Sequence, residues 1–185
     1  MVKADKNIQL ADVIFLCETC LDEESNSSLV SLPEYKEHLN CHGRGGGTAV
    51  FFRAKFNHED DFCSDRINVS QLTSSNLDVL CVYRSNNGNQ EVLVDYLNSV
   101  INLDRNTVIG GDFNLDYQKD QDNTVTRHLL SLGFKQVVAK ATHIQGGMID
   151  HIYVRLLSPG SFYSVELFAK TFTDHDSVHI SLKMQ

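Results

Sequence analysis

The sequence predicts a layered α/β fold in a single domain of 185 residues. Three observations support this prediction. Short runs rich in β-branched and aromatic residues recur along the chain, two segments carry apolar residues at helical spacing, and no repeat or proline-rich linker divides the chain. A chain of this length can bury a substantial core without metal or disulfide crosslinks, so one domain spanning 1–185 is expected.

The elements follow one another as strands interrupted by two helices. Strands are predicted, in order, at 12–17, 48–53, 66–72, 77–83, 107–109, 149–154 and 178–182. A helix is predicted at 89–102, where one face carries Val92, Leu93, Tyr96, Leu97, Val100 and Ile101. A second is predicted at 124–132, with Val125, His128, Leu129 and Leu132 on one face. Strands mixed with amphipathic helices are typical of layered α/β and α+β proteins.

Composition limits the partners and the compartment. A net charge of −8 argues against attraction of nucleic acid to the whole surface, although a carboxylate cluster that binds a metal is compatible with an acidic nuclease. The apolar runs are too short to cross a bilayer and the first residues do not form a signal peptide. The five cysteines fit reduced thiols. We therefore expect an intracellular protein of the nucleus or cytoplasm, neither secreted nor membrane-bound, with no obligate protein partner.

Polar side chains follow several predicted strands at the point where each strand ends. Glu18 follows the first strand, Tyr83 and Arg84 end another, and Asp112 and Asn114 follow the strand that contains Ile109. Functional groups collected at strand ends are how layered α/β proteins commonly build a site. The pattern predicts a shared site formed from residues far apart in sequence.

The segment Gly110-Gly111-Asp112-Phe113-Asn114 is the most informative of these strand ends. Two glycines permit a tight turn out of a buried strand, and the turn presents a carboxylate beside an amide. By itself the segment fits an ordinary Asx turn as well as a functional site.

Two later segments favour the functional interpretation. Ile149-Asp150-His151-Ile152 and Asp174-His175-Asp176 each place acidic and histidine residues at a strand boundary. Together with Cys17-Glu18-Thr19 and Gly111-Asp112-Phe113-Asn114, in this order and spacing, they resemble the endonuclease/exonuclease/phosphatase superfamily. The segments 141–150 and 45–50 are most similar to the endonuclease domains of mobile elements.

The resemblance implies a four-layer α/β sandwich with two packed mixed β-sheets flanked by helices. Family members begin with a buried strand that carries an asparagine, followed by a helix leading to the strand before the glutamate. Only seventeen residues precede Glu18, which are enough for the end of that helix at about 3–10. The first strand is therefore expected to be absent.

The resemblance also assigns a metal site. Glu18 matches the metal-binding glutamate of the family, and Asp174 matches the aspartate that supports the metal site. The implied ion is Mg²⁺, with Mn²⁺ as a possible substitute, because Mg²⁺ prefers hard oxygen ligands and commonly needs only one or two protein carboxylates.

Catalytic roles follow from the same matches. Asp112 matches the residue that orients or deprotonates the attacking water, and Asn114 matches the amide that contacts the scissile phosphate. His175 matches the histidine that hydrogen-bonds a phosphoryl oxygen, and Asp150 matches the carboxylate that fixes its tautomer and favours its protonated form. A metal, an imidazolium and an amide can together stabilise the developing charge of phosphodiester hydrolysis.

Four further side chains lie next to these motifs. Tyr83 and Arg84 fall where family members face the phosphate, so Tyr83 is assigned to catalysis and Arg84 to substrate binding; an aromatic packing role is the alternative for Tyr83. His143 and His151 match no catalytic position of the family, and we expect them to be structural.

The predicted function is Mg²⁺-dependent phosphodiester hydrolysis, with DNA as the expected partner and a mobile-element type of endonuclease as the first hypothesis. Two alternatives stay open. One is a phosphatase or phosphodiesterase that acts on a substrate other than DNA, because the family shares one active site among several substrates. The other is a catalytically impaired remnant, because a missing central strand would leave backbone groups unpaired.

Overall fold

The structure, a computed structural model, describes residues 10–19, 32–40, 46–64, 66–169 and 173–185. Within these ranges the chain forms strands and two helices in an order that follows the sequence prediction closely. The elements are β1 (Val13–Cys17), β2 (Lys36–Asn40), β3 (Thr48–Phe52), β4 (Asn57–Ser64), β5 (Ile67–Thr73), β6 (Leu77–Arg84), α1 (Gln90–Val100), β7 (Asn106–Asp112), α2 (Thr124–Ser131), β8 (Lys135–Gln136), β9 (Asp150–Arg155), β10 (Phe162–Phe168) and β11 (Ser177–Lys183).

The largest sheet has six strands in the order β4-β5-β6-β7-β9-β8. Its pairs are antiparallel except β6 and β7, which run parallel. A parallel pair needs a crossover connection, and α1 supplies it. The sheet is therefore mixed, and the carboxyl ends of β6 and β7 lie side by side, so that Tyr83 is the register partner of Asp112.

Both helices cover one face of this sheet. The amphipathic pattern of α1 buries Leu93 and Leu97, and that of α2 buries Val125 and Leu129. Each helix begins at an asparagine whose side chain accepts a hydrogen bond from the first turn. The core between the helices and the sheet consists of Ile67, Val69, Leu80, Val82, Leu93, Leu97, Ile109, Phe113, Val125, Leu129, Phe134 and Tyr153.

Two smaller antiparallel sheets, β1-β3-β2 and β10-β11, cover the opposite face. Phe15 from the first and Ile180 from the second pack against the same core cluster as Val108 and Ile152 of the large sheet. In the described part of the chain, no strand joins β1 to β11. The second layer is thus formed by two separate pieces.

The predicted α/β sandwich is confirmed. The mixed sheet lies between a helical layer and a second layer of strands, and all seven predicted strands and both predicted helices are present. The helix predicted at about 3–10 lies, apart from Leu10, outside the described residues. Cys17 and Cys81 are free thiols. Neither of the described helices is long and apolar enough to cross a membrane.

Candidate active site

The end of β7 brings the first carboxylate to the site. Gly111 has a φ of 143°, and a β-carbon there would lie 1.9 Å from the carbonyl oxygen of Val82 on the neighbouring strand. Only glycine accepts both that backbone angle and that approach. Asp112 follows at the strand end, with 2% of its surface exposed. The close approach of β6 and β7 therefore determines where this carboxylate lies.

Asn114 holds the Asp112 carboxylate in place. Its backbone N–H donates to Oδ1 of Asp112 at 2.9 Å, and its side-chain Nδ2 donates to Oδ2 at 3.0 Å. Nδ2 also donates to the carbonyl oxygen of Arg84 at 2.9 Å, and Asn114 has a positive φ of 49°. The segment is thus an Asx turn and part of the site at once. The amide donors of Asn114 point to protein atoms, so this geometry favours its base-steadying role over direct contact with a phosphate.

Arg84 occupies a different position from the predicted one. Its side chain is buried, with 4% exposed, and donates to the carbonyl oxygens of Gly88, Phe113, Asn114 and Asn86 at 2.9, 2.7, 3.3 and 3.2 Å. A guanidinium whose donors point at backbone carbonyls is not presented to a ligand. The prediction that Arg84 binds substrate is therefore corrected: it supports the turn that carries Asp112 and Asn114.

Asp150 and His175 form the second part of the site. Asp150 begins β9 and is the register partner of Asp112, and its Oδ2 lies 2.9 Å from Nδ1 of His175. The hydrogen bond to Asp150 raises the pKa of His175 to about 9, against the opposing effect of burial. The imidazole is therefore protonated at neutral pH, and Nε2 is its second donor. This pair connects the large sheet to the segment that leads into β11.

The buried carboxylate of Asp112 carries a charge that the protein compensates only in part. Burial and the charges of Asp150 and Glu18 raise its pKa, the Asn114 backbone and His175 oppose the rise, and the resulting pKa is about 7. Ligand atoms of Asp112, Asp150 and His175 all lie within 4.8 Å of one another. Three carboxylates share a site with one imidazolium, an arrangement that favours a bound cation.

Glu18 reaches the same site from the other layer of the sandwich. It directly follows β1 and has a positive φ of 52°. The hydroxyl of Tyr83 donates to its Oε1 at 2.9 Å, and burial together with this bond raises the pKa of Tyr83. Tyr83 is only 4% exposed, so its ring packs in the core as the alternative interpretation expected. Its hydroxyl also makes a polar contact, the hydrogen bond to Glu18. The tyrosine positions Glu18 beside Asp112.

Asp174 directly precedes His175 and lies next to His143, a histidine that the sequence was interpreted to place in a structural role. Nε2 of His143 is 3.3 Å from Oδ2 of Asp174, and the rings of His143 and His175 meet edge to face with centroids 4.9 Å apart. His143 and His175 also form an isolated β-bridge. The structural interpretation of His143 is therefore wrong in one respect, because this side chain contacts two site residues. No local signal in the sequence revealed this long-range pairing.

His151 shows the buried structural role that was predicted. It is fully buried, its Nε2 faces the carbonyl oxygens of Leu115 and Met148 at 2.7 and 3.1 Å, and its Nδ1 lies 3.1 Å from the hydroxyl of Tyr153. Burial lowers its pKa, so the ring is neutral at physiological pH.

Comparison with known proteins assigns this chain to a family. The sequence profile described as the Endonuclease/Exonuclease/phosphatase family matches residues 3–175. The chain belongs to this family. The resemblance deduced from the sequence motifs is thereby confirmed, and the family name covers enzymes that hydrolyse phosphoesters. No match to the chain is found among curated protein sequences.

Several solved structures share this fold. The endonuclease domain of TRAS1, a telomere-specific non-LTR retrotransposon, has 11% identity and a TM-score of 0.65, with 96% of this chain and 88% of that one covered. A 3′ phosphatase, NExo from Neisseria, bound to a product DNA hairpin, has 17% identity and a TM-score of 0.65 over 100% and 91%. The catalytic domain of human Nocturnin has 14% identity and a TM-score of 0.62 over 96% and 83%. At these identities the likeness concerns the fold.

The donor set of this family member fits a divalent cation. Glu18 offers a carboxylate oxygen near the buried carboxylate of Asp112, and Asp174 offers a third carboxylate beside His143 and His175. Hard oxygen donors of this kind suit a divalent cation.

A polar cleft of about 460 Å³ adjoins these residues. Asn114 and His143 belong both to its wall and to the site, which places the cleft next to the catalytic groups. The other lining residues are Asn86, Asp116, Lys119, Gln145, Gly147 and Ile149. The walls are thus rich in amide and charged groups that can hydrogen-bond a sugar-phosphate chain.

Proposed function

We propose that this protein is a Mg²⁺-dependent phosphodiester hydrolase that cuts DNA, as an endonuclease of the mobile-element type. The observation that carries the proposal is the convergence of Asp112, Asp150 and His175, within 4.8 Å of one another, beside the pair formed by Glu18 and Tyr83. These groups come from three different sheets, and no structural requirement of a sandwich fold explains a buried acidic pair at that position.

Asp112 acts as the base in this proposal. A general base is most effective when its pKa lies near the working pH, and burial together with Asp150 raises the pKa of Asp112 to about 7. Asn114 donates two hydrogen bonds to the carboxylate and keeps it oriented. Asp112 would thus orient a water molecule in line with the scissile phosphorus and accept its proton.

His175 supplies the positive charge that the transition state needs. Asp150 holds the ring through Nδ1 at 2.9 Å, so the protonated ring can donate from Nε2 to a non-bridging phosphoryl oxygen. His143 packs against the edge of this ring and limits its rotation. Glu18, with Asp174 in support, would hold the Mg²⁺, which when bound neutralises charge on the phosphate.

DNA is favoured as the substrate by the cleft and by structural relatives. The cleft carries Asn86, Lys119 and Gln145, which can donate to phosphates without a basic surface. TRAS1 is an endonuclease domain, and TDP2 from D. rerio was solved with a single-strand DNA product at 14% identity. A protein with a net charge of −8 would bind such a substrate through the metal and this cleft, in the nucleus or cytoplasm.

Nicking of supercoiled plasmid in the presence of Mg²⁺ tests the proposal. We expect nicking that EDTA abolishes and that falls at least about 100-fold in Asp112→Ala. Asp122→Ala is a matched control, because Asp122 is an aspartate whose side chain is 86% exposed and which ion-pairs only loosely with Arg127. Equal activity in Asp112→Ala and wild type would overturn the assignment of the base.

A phosphatase is the second candidate, because the 3′ phosphatase NExo shares the fold. A DNA hairpin with a 3′-phosphate, assayed beside the plasmid, separates the two activities. Release of phosphate without nicking, abolished in Asp112→Ala, would identify a phosphatase. Failure on both substrates by a folded protein would favour a catalytically impaired remnant.

A further inference from the structure

A second cluster of side chains that could hold a metal ion lies at the edges of two sheets, away from the proposed catalytic residues. His38 belongs to β2, at the edge of the three-stranded sheet, and His58 and Asp61 belong to β4, at the edge of the large sheet. Asp112 lies on β7, and β5 and β6 separate that strand from β4. The cluster is therefore distinct from the catalytic residues.

A β-bulge brings the two β4 residues to the same face. Side chains of a regular strand alternate between faces, so residues three positions apart would point in opposite directions. The register of β4 with β5 shifts between His58 and Asp60, which adds one residue at that point. As a result His58 and Asp61 both face β2, where His38 lies opposite them.

The three side chains converge on a single point. Nε2 of His58 is 3.1 Å from Oδ2 of Asp61, and Nε2 of His38 contacts the same oxygen. The two imidazole rings stack with centroids 3.8 Å apart. One ligand atom from each residue lies within 4.8 Å of both others.

The convergent atoms are poorly satisfied by the protein. Both Nε2 atoms and Oδ1 of Asp61 are shielded from solvent and make no hydrogen bond of good geometry in the described ranges, and both Nε2 atoms crowd against the single oxygen Oδ2 of Asp61. Two imidazoles and an ionised carboxylate left in this state are a costly arrangement unless something binds between them.

We propose that His38, His58 and Asp61 form a binding site for a transition-metal ion of the Zn²⁺ class. Two imidazole nitrogens and one carboxylate, completed by a water, are a common ligand set for this ion, whereas Mg²⁺ prefers oxygen ligands. The side chains retain 29%, 26% and 26% exposure, so an ion and its water can enter. Nε2 of each ring already faces the carboxylate of Asp61, so an ion bound beside that carboxylate would lie within reach of both imidazoles.

The ion fastens one layer of the sandwich to the other. β2 and β4 are edge strands of different sheets, and the cluster bridges them where backbone pairing does not. An ion that binds the folded chain alone raises its free energy of unfolding, and the rise grows with the logarithm of the ion concentration above Kd. The role is structural, and it does not depend on phosphodiester hydrolysis at the other site.

The test uses the full chain, stripped of metal with a chelator and titrated with ZnCl₂ by calorimetry, with MgCl₂ as the comparison ion. We expect one Zn²⁺ per chain at this cluster and a rise in the unfolding midpoint of about 5–10 °C at a hundredfold excess over Kd. His58→Gln should weaken this binding at least about 100-fold. Asp174→Asn is the matched control, because His143, Asp174 and His175 form another candidate group.

The outcomes separate the two groups. Zinc binding that survives Asp174→Asn and is lost in His58→Gln supports the site, and Asp61→Asn should repeat the loss if the first variant folds poorly by circular dichroism. Absence of zinc binding in the wild-type chain overturns the proposal. Loss in Asp174→Asn with retention in His58→Gln also overturns it, because the ion would then belong to the catalytic groups.

Discussion

Replacing the proposed base should stabilise the metal-free protein while removing its activity. The pKa of Asp112 is about 7 in the folded chain, because of burial and the charge of Asp150, and close to its ordinary value of 3.8 in the unfolded chain. Between these values the folded state binds a proton that the unfolded state does not. Stability therefore falls as the pH rises from about 4 to about 7, and the full penalty is present above pH 7.

The magnitude of this penalty follows from the pKa difference. A rise from 3.8 to about 7 corresponds to about 4 kcal/mol, at about 1.4 kcal/mol for each unit. Asp112→Asn removes the charge in the same volume, but the amide nitrogen that replaces Oδ2 cannot accept the hydrogen bond from Nδ2 of Asn114, which costs about 1 kcal/mol. Above pH 7 the free energy of unfolding of Asp112→Asn should therefore exceed that of wild type by about 3 kcal/mol. Near pH 4 the variant should be no more stable than wild type.

Urea denaturation of wild type and Asp112→Asn in EDTA, at several pH values from 4 to 8, measures this difference. The free energies of unfolding should diverge with a slope of about 1.4 kcal/mol per pH unit through the middle of the range. A difference that is the same at pH 4 and pH 8 would refute the reasoning, because it would come from packing rather than from the buried charge. A variant less stable than wild type at pH 8 would refute it as well.

Three further substitutions test the supports of the site. Arg84→Lys should lower the free energy of unfolding by about 2–4 kcal/mol in urea denaturation, because carbonyl oxygens under the turn lose their donors. Gly111→Ala should destabilise by more than about 3 kcal/mol in the same assay, since its β-carbon would lie 1.9 Å from a carbonyl oxygen. Tyr83→Phe should raise the Mg²⁺ concentration for half-maximal hydrolysis by about threefold to tenfold, because Glu18 loses its positioning hydroxyl.

Each of these predictions has a control in the same chain. Arg127→Lys alters an arginine that is 61% exposed and should change stability little. Gly110→Ala adds a β-carbon at ordinary contact distances of 3.5 and 3.7 Å and should be tolerated. Equal effects in a variant and its control would argue against the contact invoked, and an unchanged Mg²⁺ requirement in Tyr83→Phe would separate Glu18 from the metal.

The strands that the sequence failed to predict share one property. β2, β4, β8 and β10 all lie at sheet edges, and the sequences of β2 and β4, KEHLN and NHEDDFCS, are rich in charged and polar residues. Apolar alternation reveals a strand only where one of its faces is buried in the core. β3 and β6, which lie inside their sheets, are mostly buried and were predicted within one residue of their bounds. Edge strands are held by backbone hydrogen bonds to the neighbouring strand, and these bonds impose little constraint on residue type.

For the site, the sequence predicted residues in local motifs better than contacts between distant segments. The strand-end motifs predicted Asp112, Asp150 and His175, which the structure brings together. The hydrogen-bond partners of Arg84 could not be predicted, because the sequence does not distinguish an arginine that binds phosphate from one that binds carbonyl oxygens. His143 escaped notice for a similar reason: it meets its partners only through a bridge across more than thirty residues. Such contacts depend on the packed backbone.

The division of the second layer into two pieces has a consequence for how activity is lost. His175 precedes β11, in which no residue is fully buried, while Asp150 begins β9, whose four central residues are all buried in the large sheet. Parts of a protein with few buried contacts open at a lower free energy than the whole domain unfolds. Release of β10 and β11 would separate the pair while the helical core stayed intact. Activity would then be lost through this local opening. The loss would occur in mild denaturant or on mild heating, before most of the secondary structure unfolds.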